Sequence, residues 1–358
     1  MKIRPLFFGF LGVIVVAILA YTNFAPMLNQ PIDGGDDYET HSEVVERNTL
    51  KNIFDYRFET DRGGPSTYFT PVMWVLWKEI IVHGDTGIVY RMTGTLIHLF
   101  NILLVFLIMG LLGLKKYAAY LATLWFGFSA ASLLTIGWVS GALTQGFALF
   151  FLLFSFYLFL MFLRHQKWLF YAFSLLVFLA GTFSKETVAL HCWIFGAYQL
   201  FAPMGIAKDL RKKIMLALPY FILALPVLII AKLRIADSEL ANGWGGISIS
   251  EHIFYRISDY LSLLFRHGLS DSTIKFLIIA ILLILVPLVW RSAIKEKLNL
   301  FLVSWLVFSL AVFSLSNFRD IISLDRYLYW AQVPFIGLVL FNASNIISGI
   351  QKWSKRAK

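Results

Sequence analysis

The chain has 358 residues, 59% of them hydrophobic and 17% aromatic, with a formal net charge of +10. A mean hydropathy of +0.73 excludes an ordinary soluble globule. The basic balance does not point to nucleic acid, because the cations are dispersed among short turns and termini, where anionic headgroups attract them.

A membrane-spanning helix needs ~20 largely apolar residues, and helices are the expected spanning form because lipid leaves backbone groups no other partner. Ten such runs are predicted, at 5–22, 89–112, 117–136, 142–163, 168–183, 187–203, 214–233, 273–290, 298–315 and 327–349. The fold class expected is therefore all-α, a single polytopic membrane domain over 1–358. The first run is long, and Tyr21-Thr22-Asn23-Phe24 lacks a small-x-small cleavage pattern, so it reads as a retained anchor.

Charge predicts the orientation. With the N-terminus in the cytoplasm and ten alternating spans, the inner turns collect Lys115, Lys116, Arg164, Lys167, Lys208, Arg211, Lys212, Lys213, Arg291, Lys295 and Lys297. Their only acids are Asp209 and Glu296. This is the pattern of the positive-inside rule. Both termini are then cytoplasmic, in a plasma (inner) membrane. Cys192 is the single cysteine and falls within an apolar run, so no disulfide framework is available.

Two outer segments are long, 23–88 and 235–272, and form an expected cap of short interfacial helices. The first holds a predicted helix over 38–54, a Gly63-Gly64-Pro65 break and a Trp-rich amphipathic stretch over 71–81, suited to lie in the interface. The second has a Gly-rich turn over 242–246, then an amphipathic piece over 252–266.

Several ionisable groups fall at the outer ends of the spans. Asp36 and Asp37 precede the first outer helix. Asp36 with Glu39 suits a capping-box variant; the alternatives are a general base or oxygen ligands bridging a divalent cation. Lys185 and Glu186 sit between two apolar runs, where charge is expensive and is either paired, snorkelling or functional. Lys185 neutralising a lipid-linked phosphate, with Glu186 holding it, is the functional reading. Arg326 enters the last span and suits either a bidentate phosphate clamp or a helix-end anchor. His98 and Asn101 lie one turn apart within the second span, where polar glue between helices is their first role. The seven histidines show no zinc spacing.

Six elements follow one another in order. They are Asp36-Asp37, Tyr68-Phe69-Thr70-Pro71, His98 with Asn101, Trp138-Val139-Ser140-Gly141, Ser184-Lys185-Glu186, and Arg326-Tyr327-Leu328-Tyr329. In this order the chain resembles the polytopic GT-C glycosyltransferases, nearest to the protein O-mannosyltransferase-like and TMTC-type branches. The resemblance covers nearly the whole chain. It implies a glycosyltransferase that moves a sugar from a polyprenyl-phosphate-linked donor to an acceptor hydroxyl, on a protein or a glycan, at the outer face. Asp36 would be the catalytic base and Asp37 a second carboxylate. Lys185 and Arg326 would bind the donor phosphate, with Glu186, Tyr68, Tyr327, His98 and Asn101 in support. Two features depart from the family. Members often carry an Arg and an Asp after the Ser-Gly, where this chain has Ala142, Leu143, Thr144 and Gln145; and no tetratricopeptide tail is expected beyond Lys358. A lipid-linked sugar flippase and a non-catalytic GT-C-like subunit are the alternatives. The flippase predicts ionisable residues deep in the spans and paired interrupted helices, whereas here the charges gather at the outer ends.

Overall fold

The structure is a computed structural model and describes residues 87–201, 209–236, 296–314 and 321–356, with a few positions between 12 and 26. Every regular element among the described residues is helical. In chain order they are α1 (Gly87–Leu111), α2 (Lys116–Phe128), α3 (Ala130–Gly137), α4 (Val139–Gly141), a π-helical turn (Ala142–Gly146), α5 (Phe147–His165), α6 (Trp168–Ser184), α7 (Glu186–Leu190), α8 (Trp193–Phe201), α9 (Leu210–Ala236), α10 (Lys297–Ser314) and α11 (Ile321–Arg356).

Four helical stretches are long and apolar enough to cross a membrane: Arg91–Leu111, Ala142–His165, Leu210–Ile229 and Leu328–Gln351. Lys116–Phe128 with Ala131–Gly137 makes a fifth if its 50° bend lies within one span. The other expected spans differ for visible reasons. The runs at 168–183 and 298–315 form apolar helices, but α6 has 17 residues and so reaches about 25 Å at 1.5 Å per residue, short of the ~30 Å hydrocarbon core. The run at 187–203 divides into α7 and α8. Those at 5–22 and 273–290, and the two outer segments, lie largely or wholly outside the described residues.

Polar side chains set both breaks. At the α2–α3 bend, Ser129 leaves helical geometry and its hydroxyl accepts from the Ser132 backbone N–H at 3.2 Å, an N-cap that restarts the chain in a new direction. Ser129 also donates to the Gln332 Oε1 of α11, and Gln332 Nε2 donates to Ser132 Oγ at 2.9 Å. At the α7–α8 junction the His191 ring Nδ1 bonds the Thr187 carbonyl at 2.7 Å, competing with the backbone for that acceptor. The backbone there tightens to i→i+3 bonds, Cys192 to Ala189 and Ile194 to His191.

The core is aromatic. Phe156, Phe159 and Phe178 are fully enclosed with Tyr198, Tyr220 and Trp305. The Phe195 and Tyr220 rings stack 3.6 Å apart, fastening α8 to α9. Helices α5 and α6 form a hairpin through Gln166, the only non-glycine residue with positive φ among those described. Gln166 takes the left-handed C-cap position usual for Gly or Asn, and its Nε2 donates to the Leu163 carbonyl at 2.7 Å. Ser155 and Ser174 then exchange hydroxyl-to-carbonyl bonds of 2.8 and 2.7 Å across the pair, the interhelical polar glue that apolar surroundings favour.

Candidate functional site

α1 supplies the first part of the site. His98 and Asn101 are fully buried and share one helix face. Tyr329, near the head of α11, reaches both: its hydroxyl lies 2.8 Å from His98 Nδ1 and 3.0 Å from Asn101 Nδ2. His98 Nε2 lies 3.3 Å from the Gly127 carbonyl, which can only accept. The network therefore assigns the proton of a neutral ring to Nε2 and leaves Nδ1 as acceptor. The Tyr329 hydroxyl donates to His98 while accepting from Asn101. Proton donation thus runs one way, from Asn101 through Tyr329 and His98 to Gly127. Asn101 Nδ2 also donates to the Gly146 carbonyl at 3.0 Å, while its Oδ1 is buried without a hydrogen-bond partner.

The close approach of α1 to the π-helical turn is a matter of size. A Cβ on Gly94 would stand 2.6 Å from the Ala142 Cβ, so only glycine allows this approach. The turn carries Gln145, whose Oε1 accepts from Trp330 Nε1 at 2.9 Å. A polar contact thus does arise from the segment after Ser140-Gly141, which has neither Arg nor Asp among its next four residues. It comes from Gln145 and goes to the residue beside Tyr329. Trp330 in turn lies against the His191 ring, centroids 4.8 Å apart, and His191 Nε2 contacts Ser309 Oγ of α10 at 3.1 Å.

Lys185 ends α6 in an extended conformation (φ −161°, ψ 138°) and is only 4% exposed. Glu186 opens α7. Its Oε2 is buried without a hydrogen-bond partner, and burial pushes its carboxyl above the usual glutamate range, while the neighbouring Lys185 charge pulls it down. A buried lysine beside a half-buried glutamate with an enclosed, unbonded Oε2 is an arrangement that membrane proteins keep for function or pairing. Gly181 makes the break compact: a Cβ there would stand 2.8 Å from the Phe151 Cβ and 3.0 Å from Val188 Cγ1.

The expected site residues divide accordingly. His98 and Asn101 are brought together with Tyr329. Lys185 is buried and Glu186 half-buried at the α6–α7 break, while His191, at the C-terminal end of α7, meets Trp330 of α11. Arg326 and Tyr327 belong to α11 by backbone, with side chains outside the described residues, as are Asp36, Asp37 and Tyr68. Among the described residues no three His, Cys, Asp or Glu side chains gather as a metal site, and the cation alternative rests on Asp36 and Asp37 alone.

Two residues were not anticipated. Tyr329 was legible only as the last letter of Arg326-Tyr327-Leu328-Tyr329, while its partners lie more than two hundred positions away. Arg91 is 3% exposed, and its guanidinium donates to the Gly137 carbonyl at 2.8 Å, tying α1 to the C-terminal end of α3. An arginine at the edge of an apolar run was the available signal. No family model, curated protein or solved structure matches the chain.

Proposed function

We propose that this chain is a membrane glycosyltransferase of GT-C type, with about ten spans and cytoplasmic termini, acting at the outer face of an inner membrane. It transfers a sugar from a polyprenyl-phosphate donor to an acceptor hydroxyl on a protein or glycan. The observation that carries the reading is the Tyr329 hydroxyl bonded to both His98 and Asn101. Two of the six ordered elements, remote in sequence, meet as one buried network. A second support is the buried Lys185 at the α6–α7 break.

The chemistry is a single displacement with inversion. The acceptor oxygen attacks the anomeric carbon, the bond from that carbon to the phosphate oxygen breaks, and the polyprenyl phosphate leaves with the electron pair. Asp36 takes the acceptor proton, with Asp37 as its second carboxylate or as ligand to a bridging divalent cation. Lys185 and Arg326 offset the charge developing on the leaving phosphate, and holding donor and acceptor together removes much of the entropic barrier.

The test is donor binding and transfer by the purified protein in lipid. Lys185→Ala is expected to weaken binding of a synthetic polyprenyl-phosphate sugar well beyond its effect on acceptor binding. Equal loss of both refutes the phosphate role. Movement of the sugar lipid across vesicles without transfer favours a flippase instead.

A further inference from the structure

The groove between α8 and α9 holds a second set of residues unrelated to those above. Gln199 of α8 is 1% exposed, and neither Oε1 nor Nε2 of its amide has a hydrogen-bond partner. Buried amides are ordinarily paired, so this one calls for an explanation. Gln199 forms part of the wall of a cavity of about 170 Å³. That is several times the ~30 Å³ share of one water. The other walls are Leu200, Ile214, Leu218 and Phe221, with Lys213 as the one charged residue of the lining. Those four apolar side chains leave between 41% and 53% of their surface uncovered, so the cavity opens on the apolar outer face of the helix pair. The terminal torsion of a glutamine is broad, which leaves the amide free to turn toward the cavity it lines.

Charge indicates what enters. Arg211 and Lys212 are exposed beside Lys213 at the start of α9. The one acid there, Asp209, accepts the Arg211 backbone N–H at 3.1 Å. The rim is therefore strongly positive, on the side that the charge distribution assigns to the cytoplasm.

We infer that the α8–α9 groove is a binding site for one anionic glycerophospholipid. Its phosphate pairs with Lys213, an ester carbonyl accepts from Gln199 Nε2, and an acyl chain lies along Leu200, Ile214, Leu218 and Phe221. A zwitterionic lipid supplies the same chains and esters but no net charge for the rim. A second copy of this chain would satisfy Gln199 but would bring its own basic cluster against this one.

Native mass spectrometry of the full chain in detergent tests this, by titration with dioleoyl-phosphatidylglycerol, dioleoyl-phosphatidylcholine and inorganic phosphate. The expected result is saturable binding of one phosphatidylglycerol, with phosphatidylcholine far weaker and phosphate not retained. Lys213→Gln weakens phosphatidylglycerol roughly tenfold, the loss of one charge-assisted contact. Lys213→Arg keeps most of the affinity, and Gln199→Leu lowers it. Equal binding of the two lipids overturns the inference. So do unaltered affinity in Lys213→Gln, retention of phosphate alone, or a dimer of this chain that Gln199→Leu dissociates. Should Gln199→Leu fail to fold, Lys213→Gln at the rim still decides the matter.

Discussion

His98 and Tyr329, 231 positions apart, share a 2.8 Å hydrogen bond within the apolar interior, and that bond ties α1 to the head of α11. The tyrosine hydroxyl is donor to one partner and acceptor from another, so its removal leaves both His98 Nδ1 and an Asn101 N–H short of a partner. Tyr329→Phe is expected to lower stability by about 1–3 kcal/mol, the range for unsatisfied buried polar groups. Thermal unfolding in detergent measures it. Combination with Asn101→Leu should cost less than the sum of the single changes, because the two share one network. Additive losses would mean that the hydroxyl does not couple the helices.

Gly94 sets how closely α1 meets the π-helical turn, and hence where His98 and Asn101 stand. Gly94→Ala places a methyl 2.6 Å from the Ala142 Cβ and is expected to destabilise by roughly 1–3 kcal/mol through overpacking. Adding Ala142→Gly removes the opposing methyl and should restore most of the loss. A Gly94→Ala variant as stable as the parent would contradict the close approach.

The α10–α11 contact contains a reciprocal amide pair. Asn299 Nδ2 donates to Asn342 Oδ1 at 3.1 Å, and Asn342 Nδ2 returns a bond of 3.0 Å. Asn342→Leu leaves a buried amide facing an aliphatic group and should cost about 1–3 kcal/mol, whereas Asn299→Leu with Asn342→Leu should recover part of it. A double variant worse than either single one would show that the amides serve something beyond each other.

Glu186 carries a pH dependence. Its carboxyl titrates above the usual glutamate range in the folded protein because of burial. The folded state therefore favours the protonated form more than the unfolded chain does. The resulting stabilisation is full below the unfolded value and is lost as pH rises through the folded value. Glu186→Gln should flatten the fall in melting temperature across that window and match or exceed the parent at neutral pH. A parent stability that rises through the same window would reverse the assignment.

Much of the architecture was legible in hydropathy. Runs such as 89–112 and 214–233 are predominantly apolar, and they appear as α1 and α9. The breaks were not legible. Ser129 and His191 interrupt their helices by bonding nearby backbone, and a serine or histidine in an apolar run looks the same when it packs between straight helices. Of the site, the buried charges at Lys185 and Glu186 were visible because ionisable residues between apolar runs are rare. Tyr329 was not, since an aromatic at the start of a span reads as interfacial anchor until its partners are known. Gln145 was hidden likewise: its neighbours departed from the expected pattern, yet its amide still reaches Trp330.

Sugar transfer from a polyprenyl-phosphate donor by the wild-type chain, Asp36→Asn and Asp37→Asn, each reconstituted in lipid, decides whether the chain is a glycosyltransferase with Asp36 as its base. The wild type is expected to transfer the sugar with inversion at the anomeric carbon, and Asp36→Asn to lose nearly all transfer while donor binding persists. Asp37→Asn should fall less, or be restored by added divalent cation if that carboxylate is a ligand. Full transfer by both variants, or none by the wild type with any donor, would contradict that reading.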